Sequence, residues 1–437
     1  MKKYFVLAVT ALTVLAACSK IEVPNTVETS KKVGFEVANY VLRTKSNVAL
    51  TNTEDGIYSF HTYAYQFPEM GSPRQFMNVD ILPWSNDATP VQVTASNDAD
   101  KLIGSWAPEE DYYWPKTGYV NFYSYAGTHA PTVAVNSDAD WKTVTFTYTN
   151  AVIEATSNIL VADAALHYGN AEKNTETYGV DDSETSTSHV TKGVPTLFHH
   201  QLAKVIFDVR ARTTTAKVSQ NTSWKVQVLG TYTPTGGSEI KSTIKPINKG
   251  TLVLTNVDDK TSADTKVWSN AATTTNISGW VPSSVATDKE EIVFDSTPAM
   301  DATSFPEALV IPTGAIESLN NSTPYDAVQI LAARSVMPQL TQNVAFALVY
   351  KVQALHGSDV FMEEIRTVGI DANASLKDLV SSVTSWGANQ KVTYHIIIDP
   401  VSDKVTFDPA VEEYDPVDAD NTGNINIDEN GIVVPQP

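Results

Sequence analysis

Short runs of Val, Ile, Thr, Tyr and Phe, broken by Gly, Pro, Asn, Asp and Ser, recur along most of this chain. In residues 33–43, Val33, Phe35, Val37 and Val41 fall at the two-residue period of a strand. Residues 57–67, 119–125, 144–148, 205–209, 224–229, 251–254, 345–352 and 392–398 read the same way. Many short strands with frequent turn residues predict a mostly β protein made of β-sandwich domains with few short helices. One helix is expected over residues 375–386, where Leu376, Leu379, Val380 and Val383 follow i, i+3, i+4, i+7. Asn373 or Ser375 would cap its start and Gly387 would end it. Residues 171–193 and 256–278 are polar and are expected to form long surface loops. There is no internal repeat of fixed period.

The start of the chain has a different character. Lys2 and Lys3 precede an apolar run over residues 4–14, and Leu15-Ala16-Ala17 leads into Cys18. A basic start, an apolar core and small residues before the cut make a secretory signal. A transmembrane helix needs roughly twenty apolar residues. A cysteine directly after the small pair makes the signal that of a bacterial lipoprotein. Residues 1–17 are then removed and Cys18 becomes the acylated, palmitate-bearing first residue. In an ordinary secretory signal Cys18 would be incidental, but it is the only cysteine of the chain, so no disulfide supports the fold. Residues 18–32 are polar and read as a tether.

Beyond the signal, 420 residues remain, enough for two or three domains with cores of their own. A boundary is placed near Pro195, giving an N-terminal domain over 33–195 and a C-terminal one over 196–409. Without Lys2 and Lys3 the mature chain sets 28 basic residues against 50 acidic ones, a net charge of −22. Such a surface repels nucleic acid and anionic lipid. No second apolar run approaches membrane-spanning length, so the chain reads as tethered to a membrane rather than embedded in it.

No catalytic pattern emerges. The histidines are His61, His129, His167, His189, His199, His200, His356 and His395, and none falls into H-E-x-x-H or another metal spacing. His199 and His200 are adjacent, and neighbours on a strand face opposite ways, so one is expected in the core and one at the surface. Ser242 and Lys245 match S-x-x-K without the motifs that give that pattern meaning. There is no Gly-rich phosphate loop and no nucleophile elbow, so the chain is read as neither an enzyme nor a cofactor binder. The aromatic residues Trp106, Tyr112, Tyr113, Trp114, Tyr119, Phe122, Tyr123 and Tyr125 are expected mainly in a core. If exposed, they would form a platform for sugar rings.

Residues 410–437 form an acidic tail without Lys or Arg that still carries β-branched residues: Ile425 and Ile427, then Ile432, Val433 and Val434. A purely disordered acidic tail has no need of two such clusters. Asp418, Asp420, Thr422, Asn424 and Glu429 match positions of a calcium loop, with Gly423 at the turn. Thr422 stands where Asp or Asn is usual, and no helix pattern flanks the loop, so a solvated acidic turn is the alternative.

Several segments together resemble one known family. The lipoprotein signal, WAPEEDYYWPKTGYVNFYSY (106–125), FHHQLAKV (198–205), ALVIPTG (308–314) and WGANQKVTYHIIID (386–399) are similar to the fimbrillins, the type V pilins of Gram-negative bacteria. The resemblance implies two tandem transthyretin-like β-sandwich domains. It implies a subunit that reaches the outer membrane and cell surface as a lipoprotein. An arginine-specific protease then cuts near the first strand, and the freed groove accepts a C-terminal strand of the next subunit. Arg43 is the candidate cleavage site, with Thr44 as the new first residue. Asn424, Ile425, Asn426 and Ile427, or Ile432, Val433 and Val434, are the candidate donor strand. The partners implied are other fimbrial subunits in a head-to-tail polymer, the protease and a surface ligand that the sequence does not name. Stalk and tip roles both fit, and an anchor role would leave Arg43 incidental. The competing reading is a monomeric lipid-anchored glycan-binding protein.

Overall fold

The computed structural model describes residues 33–38, 59–83, 106–108, 110–115, 117–168, 194–213, 222–258, 268, 277–304, 327–369, 374–402 and 404–413. Cys18, Arg43, Thr44, the donor-strand candidates in residues 424–434 and the calcium candidates Asp418, Asp420, Thr422, Asn424 and Glu429 lie outside them. So do the signal, the tether and the loop over 171–193.

Strands dominate. The first ten are β1 (Phe35–Ala38), β2 (Phe60–Phe67), β3 (Arg74–Pro83), β4 (Trp106–Pro108), β5 (Tyr119–Gly127), β6 (Thr132–Val135), β7 (Thr143–Val152), β8 (Ile159–Ala162), β9 (Ala165–Tyr168) and β10 (Val194–His200). Next come β11 (Ala203–Thr213), β12 (Thr222–Leu229), β13 (Thr231–Tyr232), β14 (Ile240–Lys241), β15 (Thr243–Lys245), β16 (Lys249–Val257), β17 (Trp280–Pro282), β18 (Ile292–Val293), β19 (Met300–Asp301) and β20 (Thr303–Ser304). The last are β21 (Val328–Val336), β22 (Gln339–Leu340), β23 (Ala345–His356), β24 (Asp359–Val368), β25 (Ser385–Trp386), β26 (Gln390–Asp399) and β27 (Lys404–Glu413). A single turn of helix, α1, spans Leu376–Leu379.

The first sheet closes on itself. Its order runs β2-β3-β4-β1-β10-β8-β5, and β5 returns to pair with β2 along Phe67↔Tyr119 to His61↔Tyr125. Alternation sorts its side chains into two cores. Val120 and Phe122 of β5 and Leu160 and Ala162 of β8 point inside the ring with Phe60, Met77 and Phe198. Tyr123, Ile159 and Val161 point outside. A second sheet, β17-β16-β7-β6, covers that outer face with Val144, Phe146, Tyr148, Leu252, Leu254 and Trp280. The two layers make the first β-sandwich.

The second sandwich packs the sheet β20-β11-β26-β27, with β21 on β11, against β18-β15-β23-β12-β19, with β24 on β23. Phe207 of β11 lies flat on Tyr394 of β26, 4.7 Å between ring centres, and also contacts Phe294 and Phe346.

The chain does not pass from one sandwich to the next in a single step. The expected boundary at 195/196 falls inside β10, which pairs with β1 and β8 of the first ring. After β15 in the second sandwich the chain returns, and β16 pairs with β7 from Lys249↔Val152 to Val257↔Thr143. Three expectations about local structure are corrected here. The helix over 375–386 is one turn long: Ser375 donates through N and Oγ to the Asp378 carboxylate, but Ser385 and Trp386 form β25 on β22. The buried Trp386 donates to Tyr394 Oη at 2.8 Å, a tertiary bond that outweighs the helical period. The loop expected over 256–278 begins inside β16, and both Asn256 and Asp258 are buried. Residues 410–413, placed in the acidic tail, belong to β27 and pair with residues 390–393.

Candidate functional site

The seat of β1 is the candidate site of this fold. β1 is short, comes first among the described strands, and is held from both sides by chain distant in sequence. It runs parallel to β10, Phe35↔Val194 to Ala38↔Leu197, and antiparallel to β4 at Phe35↔Trp106. Val33 N donates to Tyr112 O and Val194 N donates to Gly34 O, each at 2.8 Å. The expected alternation holds for the described side chains: Val33 and Phe35 are both buried inside the ring.

Phe35 enters an aromatic box. Its ring is edge-on to Phe60 at 5.5 Å and to Phe122 at 5.6 Å. Phe198 packs on Phe60 at 5.3 Å, and Trp114 on Phe122 at 5.8 Å. Burial of Val33 and Phe35 contributes about 1.5–3 kcal/mol each, and each backbone hydrogen bond about 0.5–1.5 kcal/mol. Without β1 the ring opens between β4 and β10. It then presents two unpaired strand edges and an apolar slot, which an extended segment of another chain can fill.

Behind the ring lies a buried pair of a histidine and a carboxylate. His167, in the left-handed region at φ 62°, sets Nε2 2.8 Å from Asp258 Oδ1. Asn121 Nδ2 donates to Asp258 Oδ2 at 3.0 Å, and His167 N donates to Asn121 Oδ1 at 2.8 Å. Burial pushes the Asp258 carboxyl up, but the hydrogen bonds and charge of His167, with Asn121, outweigh it and hold the group below its ordinary value. This cluster joins the end of β16 to β5 and β9 across the sandwich. No sequence pattern marked it, because its members are 46 and 91 residues apart.

The other candidates are dispersed. His199 reaches Asp163 at 3.2 Å on the surface side while His200 is buried against Asn158, so the pair faces opposite ways as expected. Ser242 Oγ donates to Leu229 O and accepts from Val349 N, while Lys245 pairs with Glu291, so the S-x-x-K match places no base beside a nucleophile. Among the described residues no group of three His, Cys, Asp or Glu side chains could hold a metal ion. Trp114, Phe122 and Tyr123 are core, Tyr112 packs on Phe76, and Tyr119 stacks on Phe67. Tyr113 is 46% exposed, but Trp114 beside it is buried, so the two do not form a platform for sugar rings.

No family model matches the chain, and no curated protein matches it. Solved structures do. The chain resembles fimbrial and cell adhesion proteins of Bacteroides. One is a fimbrial protein from Bacteroides vulgatus, 13% identical, covering 88% of this chain and 99% of that one with a TM-score of 0.47. Another is a candidate cell adhesion protein from Bacteroides uniformis, 11% identical, covering 88% and 98% with a TM-score of 0.34. A third is described as a candidate polysaccharide binding protein from Bacteroides thetaiotaomicron, 8% identical, covering 88% and 98% with a TM-score of 0.29.

Proposed function

We propose that this chain is a structural subunit of cell-surface fimbriae, a stalk or tip pilin that serves adhesion and biofilm formation. The observation that carries the reading is the seat of β1: a short first strand that seals a ring by placing Phe35 among Phe60, Phe122 and Phe198. The lipid on Cys18 holds the subunit at the outer membrane. An arginine-specific protease cuts after Arg43, Thr44 becomes the new first residue, and residues 18–43 leave with β1 and the lipid. The tail of the next subunit, through residues 424–427 or 432–434, then fills the slot. Ile425 and Ile427 stand two apart, the spacing of Val33 and Phe35. A contact between two different surfaces does not close, so it propagates as a filament.

The test uses the chain from residue 19 to residue 437, treated with an arginine-specific protease and run unboiled on a denaturing gel, with N-terminal sequencing of the product. The expected result is a ladder of multimers whose subunits begin at Thr44. A product cut at Arg43 that stays monomeric, or a chain that is not cut there, overturns the reading.

A further inference from the structure

Part of the ring's outer face stays open to solvent beside the second sheet. β3, β2 and β5 lie side by side there, and two rows of side chains cross them. Asp80 of β3 stands opposite His61 of β2, which stands opposite Tyr125 of β5, and in the next row Asn78 stands opposite Tyr63. Phe146 of the second sheet supports Tyr63 and Tyr125, with ring centres 6.2 and 5.9 Å away. It leaves both tyrosines half-buried, while Asn78 and Asp80 are exposed. His61 ties the patch together. Its Nδ1 lies 2.7 Å from Asp80 Oδ1 and its Nε2 2.7 Å from Asn78 Oδ1. Its ring packs on Tyr63 at 4.9 Å and on Tyr125 at 5.4 Å.

The groups still open on this patch define a ligand. Holding His61 uses one oxygen of Asp80 and the side-chain carbonyl of Asn78. The second Asp80 oxygen, an acceptor, and the Asn78 amide nitrogen, a donor, have no hydrogen-bond partner among the described residues. A hydroxyl group both donates and accepts, so neighbouring hydroxyls of one sugar ring answer such a donor and acceptor together. The apolar face of the same sugar can lie against the tyrosine rings. Three strands make the patch about 10 Å wide, and His61 separates Asp80 from Tyr125. No single point enclosed by carboxylate and rings is left for an ammonium group. An acidic sugar would meet Asp80 with no Lys or Arg in either row to offset the repulsion. We therefore infer that Asn78, Asp80, Tyr63 and Tyr125 form a binding site for a neutral glycan, with His61 as the positioning residue. The inference gives the adhesion reading its ligand and rests on that reading for its purpose. The site itself is complete while β1 fills its seat, and it needs no assembly.

The test runs the uncut chain from residue 19 to residue 437 in native gels cast with one soluble polysaccharide each. The neutral polymers are glucan, mannan, galactan, xylan and arabinan, and polygalacturonate is the anionic one. At least one neutral polymer should retard the wild-type chain, and polygalacturonate should not. Asn78→Ala and Asp80→Ala should each weaken binding to that polymer about ten-fold. Both positions are exposed, so both variants should melt at the wild-type temperature, which separates a lost contact from a lost fold. No retardation by any neutral polymer, retardation that both variants keep, or equal retardation by polygalacturonate overturns the inference. A chain that forms the multimer ladder after cleavage but binds no glycan fails here alone. One that binds glycan but never assembles fails only the fimbrial reading.

Discussion

Phe35 meets Phe122 edge-on, with ring centres 5.6 Å apart and planes at 90°, inside a closed ring of strands. These residues belong to β1 and β5, far apart in sequence, and their contact lets a four-residue strand hold the ring shut. Phe35→Ala removes the ring and leaves a cavity among Phe60, Phe122 and Phe198. The expected loss is about 3–5 kcal/mol of stability, read by denaturant unfolding of the uncut chain. If the proposed cut after Arg43 releases β1, the same substitution should have no effect in the cut product. An equal loss in both forms would show that β1 stays.

Asp258 and His167 predict an acid sensitivity. The folded state holds the Asp258 carboxyl below its ordinary value. Its contribution is therefore present above the unfolded value, about pH 4, and is lost as the pH falls through the folded value. Asp258→Ala leaves His167 buried without its carboxylate and should cost about 3–5 kcal/mol near neutral pH. In unfolding measured from pH 6 down to pH 2, the gap between wild type and variant should narrow at the acid end. A constant gap would mean that Asp258 acts by packing alone.

Tyrosine burial predicts an alkaline limit. Tyr65 and Tyr125 are pushed up to about 12, in both cases first by burial. The unfolded chain gives up these protons near pH 10 and the folded one does not, so stability falls as the pH rises from 10 to 12. Ultraviolet titration of the native protein should show a group of phenols that ionise late, together with unfolding. Smooth ionisation of all tyrosines near pH 10 would contradict this.

Trp280 fastens the covering sheet to the ring. Its indole is fully buried, and Nε1 donates to Gln201 O at 2.7 Å. Trp280→Phe should cost about 1–3 kcal/mol through the unpaired carbonyl, and Trp280→Ala about 3–5 kcal/mol. Thermal unfolding of the two variants checks the order. If Phe proves no better than Ala, the indole body contributes little.

Much of the local structure was legible in the sequence. The runs over 119–125, 144–148 and 392–398 are strands because alternate residues such as Val144, Phe146 and Tyr148 find one core while their neighbours face out. That alternation is a property of the chain itself. Val33 and Phe35 were legible as an inward pair for the same reason. The helix over 375–386 was misread because period 3.6 describes only a buried stripe. Val380 and Val383 are buried as that stripe requires, yet within a turn, because Trp386 is drawn into β25 by its bond to Tyr394.

The β class, the inward residues of the longer strands and the opposed faces of His199 and His200 can be read from the residues alone, since each follows from spacing along one strand. That β1 runs parallel to β10, that β5 returns to β2, that β16 crosses back to β7, and that His167 meets Asp258 emerge first in the folded chain. Those pairings join residues tens to hundreds of positions apart. Hydrogen bonding between backbones is blind to side-chain identity, so partner choice rests on which arrangement buries all the apolar faces at once.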